Sequence, residues 1–371
     1  MAKYVKKVII RPCLINPPAV TPTRTIWNKI IHPATETQRR LEICLKNDVA
    51  LVLRALNAME NIKEYFIDWN EANDYIPELY KACFTPISQK WTSQLSKLTI
   101  KVPPQFLQSI ASVRLPNLET LEYHFCTGQM SCQDIDGLHH GFLVFVNNLV
   151  DSLEHLSFVS THTSHYLDIT HIYKSLGPFP KLNSISLSVP FDGAHISNPS
   201  VFVQFLEKHR STLKHISVLT SRCTVQSTPR DPEGINWIQT ILTSIHSPFP
   251  RLRSLALAMR PLRASLTNVS DFLEMHMSTL DSLTLAERAL EYREFERLLK
   301  APSGPFAVLK EFRHLRVKFN TFCPAILFYL ASKMPGLTSL DIEINSRNDC
   351  VSDTDFVKVL SLLFVFLSYL S

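Results

Sequence analysis

A short apolar pattern recurs through this sequence at nearly regular intervals. Each copy has an aliphatic or aromatic residue, a second one three residues later and a third two residues after that, as in Leu95, Leu98 and Ile100. A single copy would mean little in a chain that is 45% hydrophobic, but successive copies start only 23 to 39 residues apart. Such periodicity indicates a repeat protein. The nine copies start at Leu95, Leu118, Leu153, Leu182, Leu213, Leu252, Leu280, Phe312 and Leu337, and two weaker ones start at Val5 and Ile62.

Each repeat combines a strand signal with a helix signal. Alternation in the second half of the pattern puts the apolar residues on one face of a short strand. Before most strands, apolar residues recur at helical spacing, as at Phe202, Phe205 and Leu206. One strand and one helix cannot enclose a core alone, but stacked units can. The sequence therefore predicts an α/β leucine-rich-repeat solenoid, a horseshoe of irregular repeats of about 25–39 residues with parallel strands on the concave face and helices on the convex face.

The junctions between repeats are of two kinds, because some strands are preceded by proline and others by a hydroxyl residue. The succession LPNLETLEY, FPKLNSISL, STLKHISVL, FPRLRSLAL and STLDSLTL resembles the fungal family of F-box/leucine-rich-repeat (LRR) proteins over roughly residues 90–345. In that family an N-terminal F-box docks on a Skp-type adaptor of a cullin ubiquitin ligase, and the repeats present the substrate. The resemblance therefore implies a substrate-recognition subunit of an SCF-type ubiquitin ligase.

The first ninety residues are less regular than the rest. Prolines crowd residues 11–38, which predicts a loop, and Thr37 is placed to cap a helix that runs to about Met59. Residues 68–86 predict a loop with one short helix. No Leu-Pro-x-Glu start of an F-box is evident, so we expect the F-box to be absent or to lie upstream of Met1. We divide the chain into residues 1–90, with N-terminal repeats and cover, and 91–371, an array whose last repeat is incomplete.

Composition argues against several classes of function. The net charge of +5 comes without a long basic run, which argues against nucleic-acid binding. Eight scattered cysteines without a CxxC pair indicate reduced thiols rather than a secreted disulfide framework. The apolar run from Val359 to Leu370 is too short to span a bilayer, and no signal peptide is recognisable. We expect a cytoplasmic or nuclear protein that binds neither nucleic acid nor membrane.

The sequence carries no familiar catalytic or cofactor motif. Only 8 of 371 residues are glycine, and the nucleotide-binding glycine patterns, the serine-hydrolase elbow and the zinc-protease motif are all missing. The best metal candidate is the three-residue spacing of His162, His165, Asp168 and His171, for which a solvated loop is the competing interpretation. We expect no enzyme activity, no cofactor and no metal.

The candidate binding residues lie between and beside the apolar positions of each strand, where they form three lanes across the concave face. Their side chains are small and weakly polar at the centre of the array, which suits close approach of another protein. Large aromatic anchors, which are common in binding hot spots, are missing from these three lanes over the nine strong copies of the pattern. At the C-terminal strands, Arg316 and Lys318 beside Asp341 and Glu343 predict cross-strand ion pairs. The candidates are Thr99, Glu122, His155, Ser157, Ser186, His215, Ser217, Thr284, Arg316 and Asp341.

Two functions stay open on the sequence alone. The first is a non-catalytic protein–protein interaction module for a protein substrate of unknown identity, with a Skp-type adaptor as a second partner if an F-box lies upstream. The second is a repeat scaffold, or an eroded member of the family, without a link to a ligase. Loops that follow the strands are an alternative binding surface to the concave face.

Overall fold

The structure, a computed structural model, divides into two units of stacked repeats, Met1–Leu167 and Asp168–Ser371. The division of the chain at residue 90 stays a prediction. Most of the proline-rich loop and the whole apolar run near the C-terminus lie outside the described residues. The structure describes residues 4–11, 34–69, 77–125, 131–161, 164, 167–221, 236–262, 266–299, 311–321 and 323–346.

Each copy of the apolar pattern forms one strand, including the two weak copies. Strands that are neighbours along the chain pair in parallel, among β1–β5 in the first unit and among β6–β11 in the second. The register aligns the pattern, since Leu98 pairs with Tyr65 on one side and Leu121 on the other. The strands are β1 (Lys7–Ile10), β2 (Glu64–Asp68), β3 (Lys97–Lys101), β4 (Thr120–Phe125), β5 (His155–Ser160), β6 (Ser184–Val189), β7 (His215–Thr220), β8 (Ser254–Ala258), β9 (Ser282–Leu290), β10 (His314–Thr321) and β11 (Ser339–Ser346).

Helical segments connect successive strands, and several begin at a capping residue. The Asn198 side chain accepts a hydrogen bond from the Ser200 amide and Pro199 occupies the first turn, which together start one of these helices. The helical segments are Ala34–Asn57, Pro77–Gln89, the 3₁₀ helix Pro104–Ile110, Cys132–Asp136, the π-helical turn Gly137–Phe142, Leu143–Asn147, Ile169–Ser175, Pro199–Lys208, Trp237–Ser244, Thr267–His276, Tyr292–Leu298 and Pro324–Lys333.

The apolar positions of the pattern form the core of each unit. Leu98 and Leu156 in the first unit, and Leu187 and Leu255 in the second, are at most 2% exposed. The helices add their own apolar side chains to this core, each buried side chain contributing roughly 1.5–3 kcal/mol to folding. The chain therefore folds as an α/β leucine-rich-repeat solenoid, which confirms the fold predicted from the sequence.

Both helices predicted for the N-terminal region form, but the start of the first and the extent of the second differ from the prediction. The first helix begins at Ala34, so Thr37 lies inside the helix instead of capping it. The helix Pro77–Gln89 is longer than expected and continues through Pro86, although a proline in a helix interior costs about 3 kcal/mol. Its apolar face, with Leu79, Cys83 and Ile87 buried, supplies the compensating stability.

A buried histidine links a helix end to the preceding proline junction twice in the second unit. The imidazole Nδ1 of His209 donates to the carbonyl of Phe205 at 2.8 Å, and its Nε2 accepts from the Phe179 amide at 2.9 Å. His276 repeats the arrangement with the carbonyl of Phe272 at 2.8 Å and the Phe249 amide at 3.0 Å. Only the neutral ring can donate at one nitrogen and accept at the other. Burial lowers the pKa of both histidines, by disfavouring the charged ring.

We expect the stability of the second unit to fall when the pH drops from 7 toward 5. The unfolded chain binds protons at these histidines from about pH 6.5 downward, whereas the folded chain resists protonation, so acid favours unfolding. His209→Leu should weaken this pH dependence and lower the free energy of unfolding by about 1–3 kcal/mol at pH 7.5, because the Phe179 amide loses its acceptor. Urea unfolding at pH 7.5 and 5.5 measures both effects. The exposed His314→Leu is the control, and an equal loss there would contradict the assignment.

Candidate protein-binding face

We call the sheet face that carries the residues between the apolar positions the lane face. A lane is a row of residues on this face that occupy the same position in successive strands, and the strand register decides which residues belong to it. In the first unit Thr99 pairs with Glu122, and Glu122 with Ser157, while Thr120 pairs with His155. All ten sequence candidates lie on strands at these alternating positions. Four belong to the first unit and six to the second, the latter being Ser186, His215, Ser217, Thr284, Arg316 and Asp341.

On the first four strands of the second unit, β6–β9, most side chains of the lane face are short and almost none is charged. Ser186 pairs with Ser217, and Ala256 pairs with Thr284, so hydroxyl and methyl groups stand side by side. Such short side chains lose little rotamer entropy on contact and allow another backbone to come close. This surface can accept a partner through hydrogen bonds and shape, and His215 is an exposed imidazole on it.

The last two strands carry the predicted cross-strand ion pairs. Arg316 Nε lies 3.2 Å from Asp341 Oδ2, and Lys318 Nζ lies 2.6 Å from Glu343 Oε1. The hydrogen bond from Lys318 holds the pKa of Glu343 below its ordinary value. These contacts confirm the sequence prediction of ion pairs in register. Because the charges are matched across neighbouring strands, this end of the face is electrically balanced.

The lane face of the first unit is strongly charged. Lys7 Nζ lies 3.1 Å from Glu64 Oε2, while Asp68 is shared by Arg11 at 3.4 Å and Lys101 at 3.2 Å. Each of these pairs joins side chains on neighbouring strands. Exposed ion pairs of this kind contribute at most about 1 kcal/mol each, so they order the surface more than they stabilise it.

Glu122 and His124 form a close pair on β4. His124 Nε2 lies 2.7 Å from Glu122 Oε1. The hydrogen bond from His124 is the main cause that lowers the pKa of Glu122, and the nearby charge of Lys97 acts in the same direction. Glu122 therefore stays ionised at neutral pH, with its neighbour Thr99 buried beside it.

A depression of about 420 Å³ lies on this face, and it corrects one expectation from the sequence. Ile9 and Phe66 line it, and its polar sides are formed by Lys7, Glu64, Lys97, Glu122 and His124. Ile9 is 50% exposed and Phe66 is half-buried. The prediction that aromatic anchors are missing holds for the nine strands of the strong copies but not for the two strands of the weak copies, which place Ile9 and Phe66 in the middle lane. Including those copies in the lanes would have found them.

A glutamate with a strained backbone, Glu287, links β9 to β7 in the second unit. Glu287 has a φ of 75°, a conformation that side chains other than glycine rarely adopt. It sits in a bulge of β9, where Val317 and Phe319 of β10 pair with Leu285 and Leu290. Its carboxylate accepts from the Thr220 amide at 2.7 Å and from the Thr220 hydroxyl, at the end of β7. No sequence signal pointed to this residue, because the contact spans 67 positions.

The metal candidate is only partly within the described residues, since His162 and His165 lie outside them. Asp168 accepts from the Thr170 amide at 2.9 Å and so caps the helix Ile169–Ser175. Burial raises its pKa, but hydrogen bonds from Ser197 and Thr170 lower it further than burial raises it. In the described part of the chain, no group of three or more His, Cys, Asp or Glu residues is arranged to hold a metal ion.

Among the helices of the described segments, none is both long enough and apolar enough to cross a membrane.

Comparisons with known proteins give a structural likeness but no family. No family model matches the sequence, and no curated protein matches it. Among solved structures, the chain is similar to the crystal structure of the leucine-rich repeat-containing protein LegL7 from Legionella pneumophila, with 13% sequence identity, 82% of this chain and 97% of that chain covered, and a TM-score of 0.47. The assignment of the fold therefore rests on the strand register and the buried pattern described above.

Substitution of Glu287 tests whether its backbone is strained. Both Glu287→Ala and Glu287→Gly remove the bonds to Thr220, but glycine adopts a positive φ without penalty. We expect the glycine variant to be more stable than the alanine variant by about 1 kcal/mol, measured by urea unfolding. The neighbouring Ala286→Gly is the matched control, which should destabilise the protein because Ala286 has an ordinary φ. Equal stability of the two Glu287 variants would argue against strain.

Proposed function

We propose that this protein is a non-catalytic protein-interaction module that binds its partner on the lane face. The observation that carries the proposal is the continuous register of polar and charged side chains across each unit, on the sheet face that the apolar core leaves free. A parallel sheet with such lanes presents many small contacts over a broad area, which suits the surface of another protein better than a small molecule. Glu122, His155 and Ser157 are the contact candidates in the first unit, whereas Thr99, predicted as a fourth, is buried.

The chemistry of the face supports binding over catalysis. Many charged side chains of the described strands form ion pairs with each other, as do Arg316 with Asp341 and Lys318 with Glu343. The close pair of Glu122 and His124 lines a depression that is open to solvent on the sheet surface, and not an enclosed, water-excluding cleft. Catalysis gains most from charges held in a site closed to water. We therefore propose that the protein is not an enzyme.

Site-specific photo-crosslinking tests the lane face as the contact surface. A benzophenone amino acid at Ser157 or Ser217 should capture one defined partner in an extract of the source cells, whereas the same group at the exposed His140 or Gln204 of the helices should not. Ser186→Arg should reduce capture at Ser217 at least tenfold, because Ser186 and Ser217 are paired in register.

Gln204→Arg is the matched control for that variant, since it adds the same charge on a helix. Capture that is equal at lane and helix positions, or that survives Ser186→Arg unchanged, would refute the lane face as the binding surface. Capture only at loop positions after the strands would move the site to the loops.

We further propose, on the resemblance of the repeats to F-box/leucine-rich-repeat proteins, that the partner is a substrate of an SCF-type ubiquitin ligase. The product of the full-length gene should then co-purify with a Skp-type adaptor, and ubiquitin chains should build up on the crosslinked partner when the proteasome is inhibited. A full-length product that captures a partner but no adaptor would leave an interaction scaffold without a ligase link.

A further inference from the structure

We propose that the lane face of β1–β3 recognises an acidic segment of a partner protein that carries one large apolar side chain. This inference rests on the proposed function and adds the chemistry of the partner. It concerns only the first unit, where the basic residues of β1–β3 surround a depression whose far side is formed by Glu122 and His124 of β4.

Positive charge is concentrated on these three strands and on the residues that lead into them. Residues 6–11, 63–68 and 97–101 contain six basic side chains and two carboxylates, a net charge of +4 in a chain whose total is +5. Lys6 and Lys63 are exposed directly before β1 and β2. An anionic segment is therefore attracted to this part of the face, and the attraction is strongest at low salt.

The carboxylates Asp68 and Glu64 are less exposed to solvent than the cationic side chains Arg11 and Lys7 that pair with them. The side chain of Asp68 is 21% exposed, whereas that of Arg11 is 57% exposed. Lys7 is likewise more exposed than its partner Glu64, at 59% against 43%. An approaching molecule consequently meets the cationic groups first. Since Asp68 is shared by two cations, that end of the face keeps a surplus positive charge.

The depression supplies the place for an apolar anchor. Among the described residues, Ile9 is one of the few large hydrophobic side chains that are more than a third exposed, and Phe66 lies next to it because the two residues pair in register. Partly exposed aromatic and aliphatic residues surrounded by charge are typical of binding hot spots. A single leucine- or phenylalanine-sized side chain fits this position, and covering it would remove Ile9 and Phe66 from water.

The neighbouring strands favour a short acidic peptide over a nucleic acid. Residues 119–125 and 154–160 contain Glu119, Glu122 and Glu154 and no lysine or arginine. Glu119 and Glu154 would repel a long polyanion that crosses the sheet, whereas a segment confined to three strands, spaced about 5 Å apart, avoids them. A flat anionic membrane would meet the same repulsion. Glu122 lines the depression, where it is hydrogen-bonded to His124, so this wall faces the apolar anchor of the segment and not its acidic residues. The charge pattern thus favours a ligand that is negatively charged and short enough to contact only three strands.

Selection from a random peptide library tests the proposal with the whole chain. Displayed 12-residue peptides are selected on the wild-type protein at low salt, and the bound peptides are synthesised with a fluorescent label for anisotropy measurements. We expect net acidic peptides with one Phe, Leu or Trp. Lys101→Glu and Phe66→Ser should each weaken their binding at least tenfold, and alanine in place of the apolar peptide residue should do the same. Gln204→Glu, on an exposed helix position of the second unit, is the control that should leave binding unchanged.

Folding and competing ligands are controlled separately. Ile9→Ser changes a half-exposed residue of the same depression, so it should weaken binding with a thermal unfolding midpoint equal to that of the wild type, even if Phe66→Ser disturbs the fold. A 12-nucleotide single-stranded RNA and phosphatidylserine vesicles serve as other anionic probes. Tighter binding of either probe than of the peptides, lost in Lys101→Glu but kept in Ile9→Ser, would overturn the peptide proposal.

The outcomes separate this inference from the proposed function. Peptides without acidic enrichment that still lose binding in lane-face variants would refute the acidic partner while the lane face stands as a binding surface. Peptides that bind equally to the wild type and to the lane-face variants Lys101→Glu, Ile9→Ser and Ser217→Glu would count against the acidic partner and also against the lane face as a binding surface.

Discussion

The structure depends on the parallel register that places equivalent apolar side chains of successive strands side by side. Leu98 stands between Tyr65 and Leu121, and each of these residues is buried only because the next repeat covers it. A single repeat of one strand and one helix cannot exclude water from its own apolar residues, so stability comes from the contact between neighbours. The same register fixes the opposite face, since residues that alternate with buried ones must point the other way.

Irregular repeat lengths do not disturb this register, because side-chain hydrogen bonds hold the connecting segments to neighbouring repeats. The imidazoles of His209 and His276 bind a helix carbonyl and the amide of an earlier repeat, so two segments about thirty residues apart keep a fixed distance. At β9, extra residues are accommodated in a bulge, and Glu287 reaches back to Thr220. A buried polar group that both donates and accepts in this way specifies geometry, because its bonds are costly to leave unmade.

The two units use one backbone scheme for surfaces of different character. In the second unit short hydroxyl and methyl side chains dominate the first four strands, and the charges of the last two are matched in register. In the first unit three strands carry a surplus of basic residues around Ile9 and Phe66, and the next two carry carboxylates. Because lane residues contribute little to the core, they can vary without cost to the fold, and this freedom makes the lane face the natural location of specificity.

The sequence by itself determined the repeat positions, the strand faces and the lane membership of residues such as Thr99, Ser217 and Asp341, because a period of two within strands and of about thirty between them is visible in the order of residues. It also predicted the ion pairs of β10 and β11, which follow from register alone. Tertiary structure decided what depends on contacts between distant segments. Pro86 lies within a helix because burial outweighs its local cost, Thr37 is not a cap because the helix begins earlier, and Glu287 adopts a positive φ to reach Thr220. The depression at Ile9 and Phe66 exists because pairing of β1 and β2 brings together two weak copies of the pattern that lie 57 residues apart in sequence.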